Sequence, residues 1–95
     1  MRIRWRRAAL ADIKGIAEYI AQDNPAAARQ VVSEIRRQTV VLADHPYLGR
    51  VGRVSDTREL VITRYPYIVA YEIRDRAIEI LAVVHTSRLW PESFR

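Results

Sequence analysis

The stretch YIVAYEIRDRAIEILAVVH, residues 67–85, decides the fold. Side chains alternate with a period of two over Tyr67–Ile73 and again over Ala77–His85, which is typical of β-strands. The residues Arg74–Arg76 between them predict a short turn, so the two strands should pair in antiparallel fashion. The second strand is apolar on both faces apart from Glu79, and we therefore predict a central position for it in the sheet.

Two more strands are predicted outside this hairpin. Residues Arg58–Thr63 indicate a strand that ends before the Tyr65-Pro66 break, which makes a three-stranded antiparallel meander with the two strands above. At the other end of the chain, Arg2–Arg6 alternates charged residues with Ile3 and Trp5 and predicts a short strand with one apolar face.

Helical periodicity occupies the region between the first strand and the meander. A first helix is predicted over Ala8–Gln22, and Asn24-Pro25 predicts the start of a second helix that ends near Ala43. The short connection folds the two helices into an antiparallel hairpin. The expected fold is therefore α+β, an antiparallel sheet packed on an N-terminal helical hairpin in the order β-α-α-β-β-β.

Length and composition restrict the classes of protein to which the chain can belong. Its 95 residues fill one core, so residues 1–95 are predicted to form a single domain. It has no cysteine and only two histidines, His45 and His85, and we expect no metal site and no cofactor. We also expect a cytoplasmic location and no membrane segment, because no apolar stretch has the length of a signal peptide or a span.

The charge indicates what the surface can bind. The formal net charge is +5, and Lys14 is the one basic residue that is not arginine. Arginine presents a planar fork of donors to phosphate and carboxylate, so a nucleic acid or an acidic protein is a suitable partner. The alternative is an ordinary solvated surface in a chain with a compositional preference for arginine.

Several short motifs follow one another along the predicted elements. They are Trp5, Asp12-Ile13, Tyr19-Ile20, Asn24-Pro25, His45-Pro46-Tyr47-Leu48-Gly49-Arg50, Thr57-Arg58-Glu59-Leu60, Pro66-Tyr67-Ile68-Val69-Ala70-Tyr71, Ile80-Leu81, Val84-His85, Arg88 and Trp90-Pro91. These motifs and the order of the elements resemble toxins of the RelE/ParE superfamily of bacterial type II toxin–antitoxin modules, and the resemblance extends over nearly the whole chain.

The resemblance implies a toxin that a cognate antitoxin, ParD-like or RelB-like, holds inactive in a hetero-oligomer. An acidic, otherwise flexible antitoxin segment would cover apolar surface and pair with arginines. The expected antitoxin-binding residues are Ile13, Ile16, Val31, Ile35, Arg50 and Arg53. The apolar members of this set serve equally well as core residues of the helical hairpin.

Two target classes share this fold, namely DNA gyrase for ParE-like toxins and ribosome-bound messenger RNA for RelE-like nucleases. RelE-like nucleases carry a Tyr-Arg-Leu-Val-Tyr pattern in the second meander strand, and its arginine is important for cleavage. Here Ile68 occupies that place, arginines replace the lysines of the preceding loop, and no tyrosine closes the chain. The resemblance therefore favours a gyrase inhibitor that is not an enzyme, with the ribosome-dependent mRNA endonuclease as the alternative.

Four residues are expected to bind the target, and each has a structural alternative. Arg58, Arg64 and Arg88 would form a basic patch, although Arg58 could instead pair with Glu59 across strands. Trp90 could be the toxic tip or an aromatic residue that packs the end of the sheet. If the protein is a nuclease, the catalytic set would be His85 with Arg58 and Arg88; otherwise His85 is a hydrogen-bonded structural residue.

Overall fold

The computed structural model describes residues 1–94 and confirms the α+β class. The elements in chain order are β1 (Arg2–Trp5), α1 (Arg7–Ala21), α2 (Pro25–Val40), a single 3₁₀ turn (Val41–Ala43), β2 (Arg50–Val51), β3 (Arg58–Val61), β4 (Tyr67–Arg74) and β5 (Ala77–His85). No helix within residues 1–94 is long and apolar enough to cross a membrane.

The five strands form one sheet in the order β1-β5-β4-β3-β2. The predicted meander β3-β4-β5 is antiparallel, but β1 pairs with β5 in parallel, so the sheet is mixed and the expectation of a purely antiparallel sheet is corrected. The reason is that the helical hairpin carries the chain across the sheet between β1 and the meander. β5 has a neighbour on each side, although the middle strand of the five is β4.

The strand β2 is absent from the sequence prediction. It consists of Arg50–Val51 and pairs with β3 at the edge of the sheet. Two residues are too few for an alternating pattern to be recognised.

The helical hairpin has the expected boundaries to within a few residues. The side-chain oxygen of Asn24 accepts a hydrogen bond of 3.0 Å from the backbone N–H of Ala27, and Pro25 begins α2. This cap satisfies one of the amide groups that a helix start leaves without a partner. The chain tightens into the 3₁₀ turn after Val40, which is why α2 ends before the predicted Ala43.

The core lies between the helical hairpin and one face of the sheet. Ile35 on α2 and both Val69 and Tyr71 on β4 are completely buried there. Burial of one such aliphatic side chain contributes about 1.5 to 3 kcal/mol. The opposite face of the sheet, which we call the outer face, carries Glu59 and Ile68 among its residues, because these alternate with the core-facing positions of β3 and β4.

Candidate functional site

The outer face carries a buried aliphatic side chain at position 68, where the sequence resemblance gives RelE-like nucleases an arginine. The side chain of Ile68 is 4% exposed, and its neighbour Ala70 on the same face is fully buried. A buried aliphatic side chain offers no hydrogen-bond donor to a phosphate. This part of the sheet therefore cannot present a cation through position 68.

A buried carboxylate organises the arginines at the β2 edge of the outer face. Glu59, 2% exposed, accepts bonds of 2.9 and 3.1 Å from Arg50 and of 2.8 and 3.0 Å from the backbone N–H and Nε of Arg53. Burial by itself would raise the pKa of Glu59, but the hydrogen bonds from Arg53 and Arg50 outweigh it and hold the pKa below its usual range. Glu59 is therefore ionised at neutral pH and fixes both guanidinium groups.

Trp90 lies on this cluster. Its ring centre is 3.9 Å from the guanidinium carbon of Arg53, and the ring of Phe94 stands edge-on at 6.1 Å. The side chain of Trp90 is half-buried, and its indole N–H is buried without an acceptor among residues 1–94. Trp90 thus packs the C-terminal segment against the sheet, in agreement with the structural alternative for this residue.

Arg58 lies on the helix-facing side of the sheet and does not form the predicted ion pair with Glu59. Its guanidinium donates a bond of 2.7 Å to the carbonyl oxygen of Gly49. The hydroxyl of Tyr71, beside it, accepts from the N–H of Gly49 at 2.9 Å and donates to the carbonyl oxygen of Pro46 at 2.8 Å. The alternation of faces along β3 separates the two side chains, and Arg58 holds the loop before β2.

A cleft of about 630 Å³ opens between α1 and the ends of β4 and β5. Its lining consists of Ala11, Asp12, Gly15, Ile16, Tyr19, Tyr67, Val83, His85, Ser87 and Arg88. The cleft brings two candidates, His85 and Arg88, to one place, together with Asp12 and Tyr67, which sequence reasoning did not select. The signal for Asp12 was its position next to Ile13 on the helix stripe that faces the sheet.

The hydrogen bonds of His85 set its chemistry in this cleft. Its Nδ1 accepts from the backbone N–H of Ser87 at 3.1 Å, and the hydroxyl of Ser87 lies 2.8 Å away. Because Nδ1 accepts from a donor that has no lone pair, the neutral ring carries its proton on Nε2. The ring also stands edge-on to Tyr67, with centres 5.3 Å apart. Neutral His85 can therefore donate a hydrogen bond to a ligand, but has no free nitrogen that could act as a base.

Two acidic groups line the same cleft. Asp12 accepts from the backbone N–H of Val83 at 2.9 Å, and burial raises its pKa despite this bond and the charge of Arg88. Burial likewise raises the pKa of the Tyr67 hydroxyl, which stays protonated at neutral pH. The cleft can thus bind a polar or anionic group through Arg88, and it also holds the carboxylate of Asp12 and the protonated hydroxyl of Tyr67.

The four expected target-binding residues do not form one patch. Arg58 lies at the start of β3 and holds the Gly49 loop, whereas Arg64 lies beyond the end of β3, near Glu34 of α2. Arg88 lies at the cleft near Asp12, and Trp90 covers Arg53 on the outer face. The structure therefore places these residues on several surfaces, and the expected basic patch of three arginines is corrected.

The expected antitoxin-binding residues divide into two groups. Ile13, Val31 and Ile35 belong to the core and offer almost no surface to a partner, whereas Ile16 is half-buried in the cleft. Arg50 and Arg53 are accessible, with side chains 55% and 46% exposed. The apolar stripe of the hairpin is thus committed to the core, because both helices pack on the sheet with the same face.

Exposed apolar residues that sequence reasoning did not select lie elsewhere. Tyr47, Leu48 and Val51 are 57% to 77% exposed around strand β2, and Tyr19 is 74% exposed at the cleft. Tyr47 and Leu48 lie in a loop, where no periodic signal distinguishes surface from core, whereas Val51 lies in the two-residue strand β2 and Tyr19 in α1 outside its apolar stripe. Among residues 1–94, no three His, Asp or Glu side chains cluster as a metal site would require.

Comparison with known proteins identifies similar proteins that are all described as toxins. Residues 3–90 match the family model of the ParE toxin of the type II toxin–antitoxin system parDE. The putative toxin Y4kP of Sinorhizobium fredii is 45% identical over 91 residues, covering 96% of this chain and 94% of the relative. Toxin RelE2 of Caulobacter vibrioides is 34% identical over 85 residues, covering 90% and 94%.

A solved structure agrees with the fold. The chromosomal ParDE toxin–antitoxin system from P. aeruginosa matches with a TM-score of 0.83 and 27% identity, covering 92% of this chain and 97% of that one. The agreement extends to the two helices and the sheet that position the outer face and the cleft. With the family match over nearly the whole length, the chain belongs to the ParE toxin family of type II toxin–antitoxin systems.

Proposed function

We propose that this toxin inhibits DNA gyrase by binding it and that a cognate antitoxin neutralises the toxin. The observation that carries the proposal is the closed outer face at Ile68, which is 4% exposed. Cleavage of RNA by its own 2′-hydroxyl needs a base, an acid and a cation against the phosphate. Ile68 supplies none of these groups. A toxin that acts by binding to a protein needs none of them.

The arginines bound to Glu59 on the outer face support the same proposal. Arg50 and Arg53 both donate to the buried carboxylate of Glu59, so part of their charge is already compensated. A guanidinium held in such an ion pair stabilises the growing charge on a phosphate less than an uncompensated one. Their role in the proposal is to fix the β2 edge of the sheet for contact with a protein.

Antitoxin binding would use this β2 edge. The half-exposed guanidinium groups of Arg50 and Arg53 lie next to the exposed side chains of Leu48 and Val51. An acidic antitoxin segment with apolar residues could pair with these guanidinium groups and bury Leu48 and Val51 as it becomes ordered. Inhibition of gyrase and neutralisation by an antitoxin both place the protein in the cytoplasm.

The RelE-like mRNA endonuclease is the second candidate, and two observations favour it. One curated relative carries the name Toxin RelE2, and the cleft holds His85 together with Arg88 and Tyr67. In this candidate mechanism Arg88 would bind the phosphate, and His85 in its doubly protonated form would protonate the leaving oxygen from Nε2, which requires Nδ1 to give up its bond from the backbone N–H of Ser87. The group that would take the proton of the 2′-hydroxyl is the carboxylate of Asp12, because Nδ1 of His85 is not available as a base.

Two assays with the same purified protein separate the candidates. In a supercoiling assay with gyrase and relaxed plasmid, the proposal expects loss of supercoiled product or accumulation of cleaved DNA at toxin concentrations near that of gyrase. A relaxation assay with topoisomerase I serves as the control and should be unaffected. In a coupled translation reaction, messenger RNA should stay intact. Ribosome-dependent cleavage together with unaffected gyrase would overturn the proposal in favour of the endonuclease.

A further inference from the structure

The end of the sheet at the β4–β5 turn carries a concentration of arginines that the proposed function does not use. We call the side chains of Arg2, Arg4, Arg74 and Arg76 the arginine tip. Arg2 and Arg74 both lie opposite Ala77, one from each neighbouring strand. Neighbouring strands are about 4.8 Å apart, so the Cα atoms of Arg2 and Arg74 are about 10 Å apart.

Three of these side chains, those of Arg2, Arg4 and Arg74, share one face of the sheet, and Arg76 lies in the adjoining turn. Ile3 and Trp5 of β1 pack on the core. Arg2 and Arg4 alternate with them along the strand and therefore lie on the outer face. Arg74 alternates with Ile73, which also packs on the core, and therefore lies on the same face. The register thus brings arginines from the chain start and from the β4–β5 turn onto one surface.

The positive charge of this surface is only partly compensated. Arg6 takes the closest contacts to the carboxylates, at 3.1 Å from Glu72 and 3.3 Å from Glu79. Arg4 and Arg74 approach the same carboxylates only at 3.8 Å. Together with Asp75 of the turn there are three acidic groups for five arginines, an excess of two positive charges.

Arg2 and Arg76 account for this excess. Both are exposed, and within residues 1–94 neither forms an ion pair with an acidic side chain. Each remains able to donate to a ligand without first breaking an internal bond.

The backbone conformation of the β4–β5 turn shows that Arg76 lowers the stability of the turn. Asp75 and Arg76 have φ values of 52° and 59°, in the left-handed region that two-residue hairpin turns require. Glycine is favoured at the second of these positions, and a side chain there costs about 1 kcal/mol. Asp-Gly would thus give a more stable turn than Asp75-Arg76, and the arginine is present at the expense of stability.

We propose that the arginine tip binds the phosphate backbone of DNA directly. The Cα atoms of Arg2 and Arg74, about 10 Å apart, are close enough for their long side chains to contact phosphates of the same DNA strand. The side chains of Arg2, Arg74 and Arg76 are exposed, which leaves their donors accessible to a phosphate backbone. The interaction is independent of gyrase and would add a contact to the DNA on which that enzyme acts.

The surroundings favour a nucleic acid over an acidic peptide at this surface. A peptide that becomes ordered on binding needs apolar surface to bury. The exposed apolar side chains Tyr47, Leu48 and Val51 lie around β2, at the opposite edge of the sheet from β1. Nearer the tip are Met1, 46% exposed, and Val41, 38% exposed in the 3₁₀ turn that packs beside β1. Phosphate contacts need charge and hydrogen bonds alone.

The test is binding of the 95-residue chain to a fluorescently labelled duplex DNA, followed by anisotropy over a series of salt concentrations. The test variant combines Arg2→Gln with Arg76→Gly, and the second change should raise the stability of the turn. The control variant combines Arg7→Gln with Arg29→Gln, which removes the same charge from exposed positions on the helices.

We expect the test variant to bind less tightly and to lower the slope of log K against log salt by about 1.8, because each lost phosphate contact contributes about 0.9. The control should change the slope by less than half of that. Equal losses in the two variants, or absence of DNA binding by the unmodified chain at low salt, would overturn the proposal. The proposal would also be overturned if polyglutamate, at equal charge concentration, displaced the DNA and if this displacement depended on Arg2 and Arg76. The tip would then be a peptide site.

Discussion

Arg53 links the C-terminal segment to the sheet, because its guanidinium carbon lies 3.9 Å from the ring centre of Trp90 while its Nε donates to Glu59 at 3.0 Å. Glu59 is buried in β3 and Trp90 follows β5, so one side chain joins two distant parts of the chain. The charge on Glu59 holds the guanidinium in place, and the guanidinium in turn holds the indole ring. The outer face and the C-terminal segment should therefore respond together to a change in any of these three residues.

Replacing Trp90 with alanine should loosen this link. The loss of the cation–π contact and of half-buried aromatic surface should lower the free energy of unfolding by about 1 to 2 kcal/mol. For a domain of this size, a loss of 1 kcal/mol lowers Tm by about 4 to 8 °C, which thermal denaturation followed by circular dichroism can measure. Trp90→Phe should keep most of the stability. An unchanged Tm in Trp90→Ala would contradict the packing role.

Replacing Glu59 with glutamine should destabilise the fold, because a neutral amide compensates neither guanidinium group and cannot accept all of their bonds. Arg50 and Arg53 are about half exposed and can return to water, so the cost should stay near 1 to 3 kcal/mol. Urea denaturation at pH 7 measures it. Glu34→Gln is the control, because Glu34 pairs with the exposed Arg37 one turn along α2 and its loss should destabilise the fold less than Glu59→Gln.

The same substitution should change how stability depends on pH. The pKa of Glu59 in the folded protein lies below its usual value of 4.5, so its stabilising effect is present above pH 4.5 and is lost as the pH falls through the folded pKa. Below pH 4.5, the difference in free energy of unfolding between the unmodified protein and Glu59→Gln should therefore shrink. A difference that stays constant from pH 7 to pH 3 would show that the charge of Glu59 is not responsible.

Gly49 is expected to tolerate no side chain. A Cβ atom there would lie 2.6 Å from the hydroxyl oxygen of Tyr71 and 2.9 Å from the carbonyl oxygen of Glu59. Gly49→Ala should cost about 1 to 3 kcal/mol through this overlap and the loss of the bond to Tyr71. Gly15→Ala is the control, because nothing lies within 4 Å of its added Cβ and alanine favours the helix. Equal stability of the two variants in urea denaturation would contradict this account.

His85→Gln should leave toxicity largely intact under the proposed function. The amide oxygen of glutamine can accept a bond from the N–H of Ser87 in place of Nδ1, so the turn after β5 should be retained. Growth after induction without antitoxin is the measurement, with Tm as the check on folding. Loss of toxicity at unchanged Tm and unchanged gyrase binding would support the endonuclease.

Arg88 and Arg58 should respond differently to substitution by glutamine. Arg58 holds the carbonyl oxygen of Gly49, so Arg58→Gln should lower the free energy of unfolding by about 1 to 2 kcal/mol. Arg88 is exposed at the cleft, and Arg88→Gln should change stability by less than about 0.5 kcal/mol while it weakens target inhibition. Full inhibition of the target by a folded Arg88→Gln variant would remove Arg88 from the target surface.

Much of the fold could be predicted from local patterns. Asn24-Pro25 marks the start of α2 because the cap and the fixed proline φ act within one turn of helix. The hairpin of β4 and β5 follows from alternation, and Ala77–His85 matches its predicted limits. The parallel pairing of β1 with β5 was not predicted, because residues far apart in the chain establish it and no local pattern reports it.

The candidate site was predicted less well. His85 and Arg88 do share a cleft, but the helix residues Asp12 and Tyr19 that complete it were not selected as site residues, because a position beside the apolar stripe of α1 does not by itself indicate a site. The sequence shows that an arginine carries a positive charge. Which carboxylate or carbonyl group it binds depends on the face of the strand from which it extends and on the loop beside it.

The amino-acid sequence by itself determined the fold class and the resemblance to a toxin family. The spacing of apolar residues, the cap at Asn24 and isoleucine at position 68 are local properties, and recognising them needs no knowledge of distant contacts. Only the tertiary structure decided which arginines are engaged. Glu59 binds Arg50 and Arg53 rather than the adjacent Arg58, because successive side chains of a strand point to opposite faces of the sheet and electrostatic pairing requires a distance of a few ångströms.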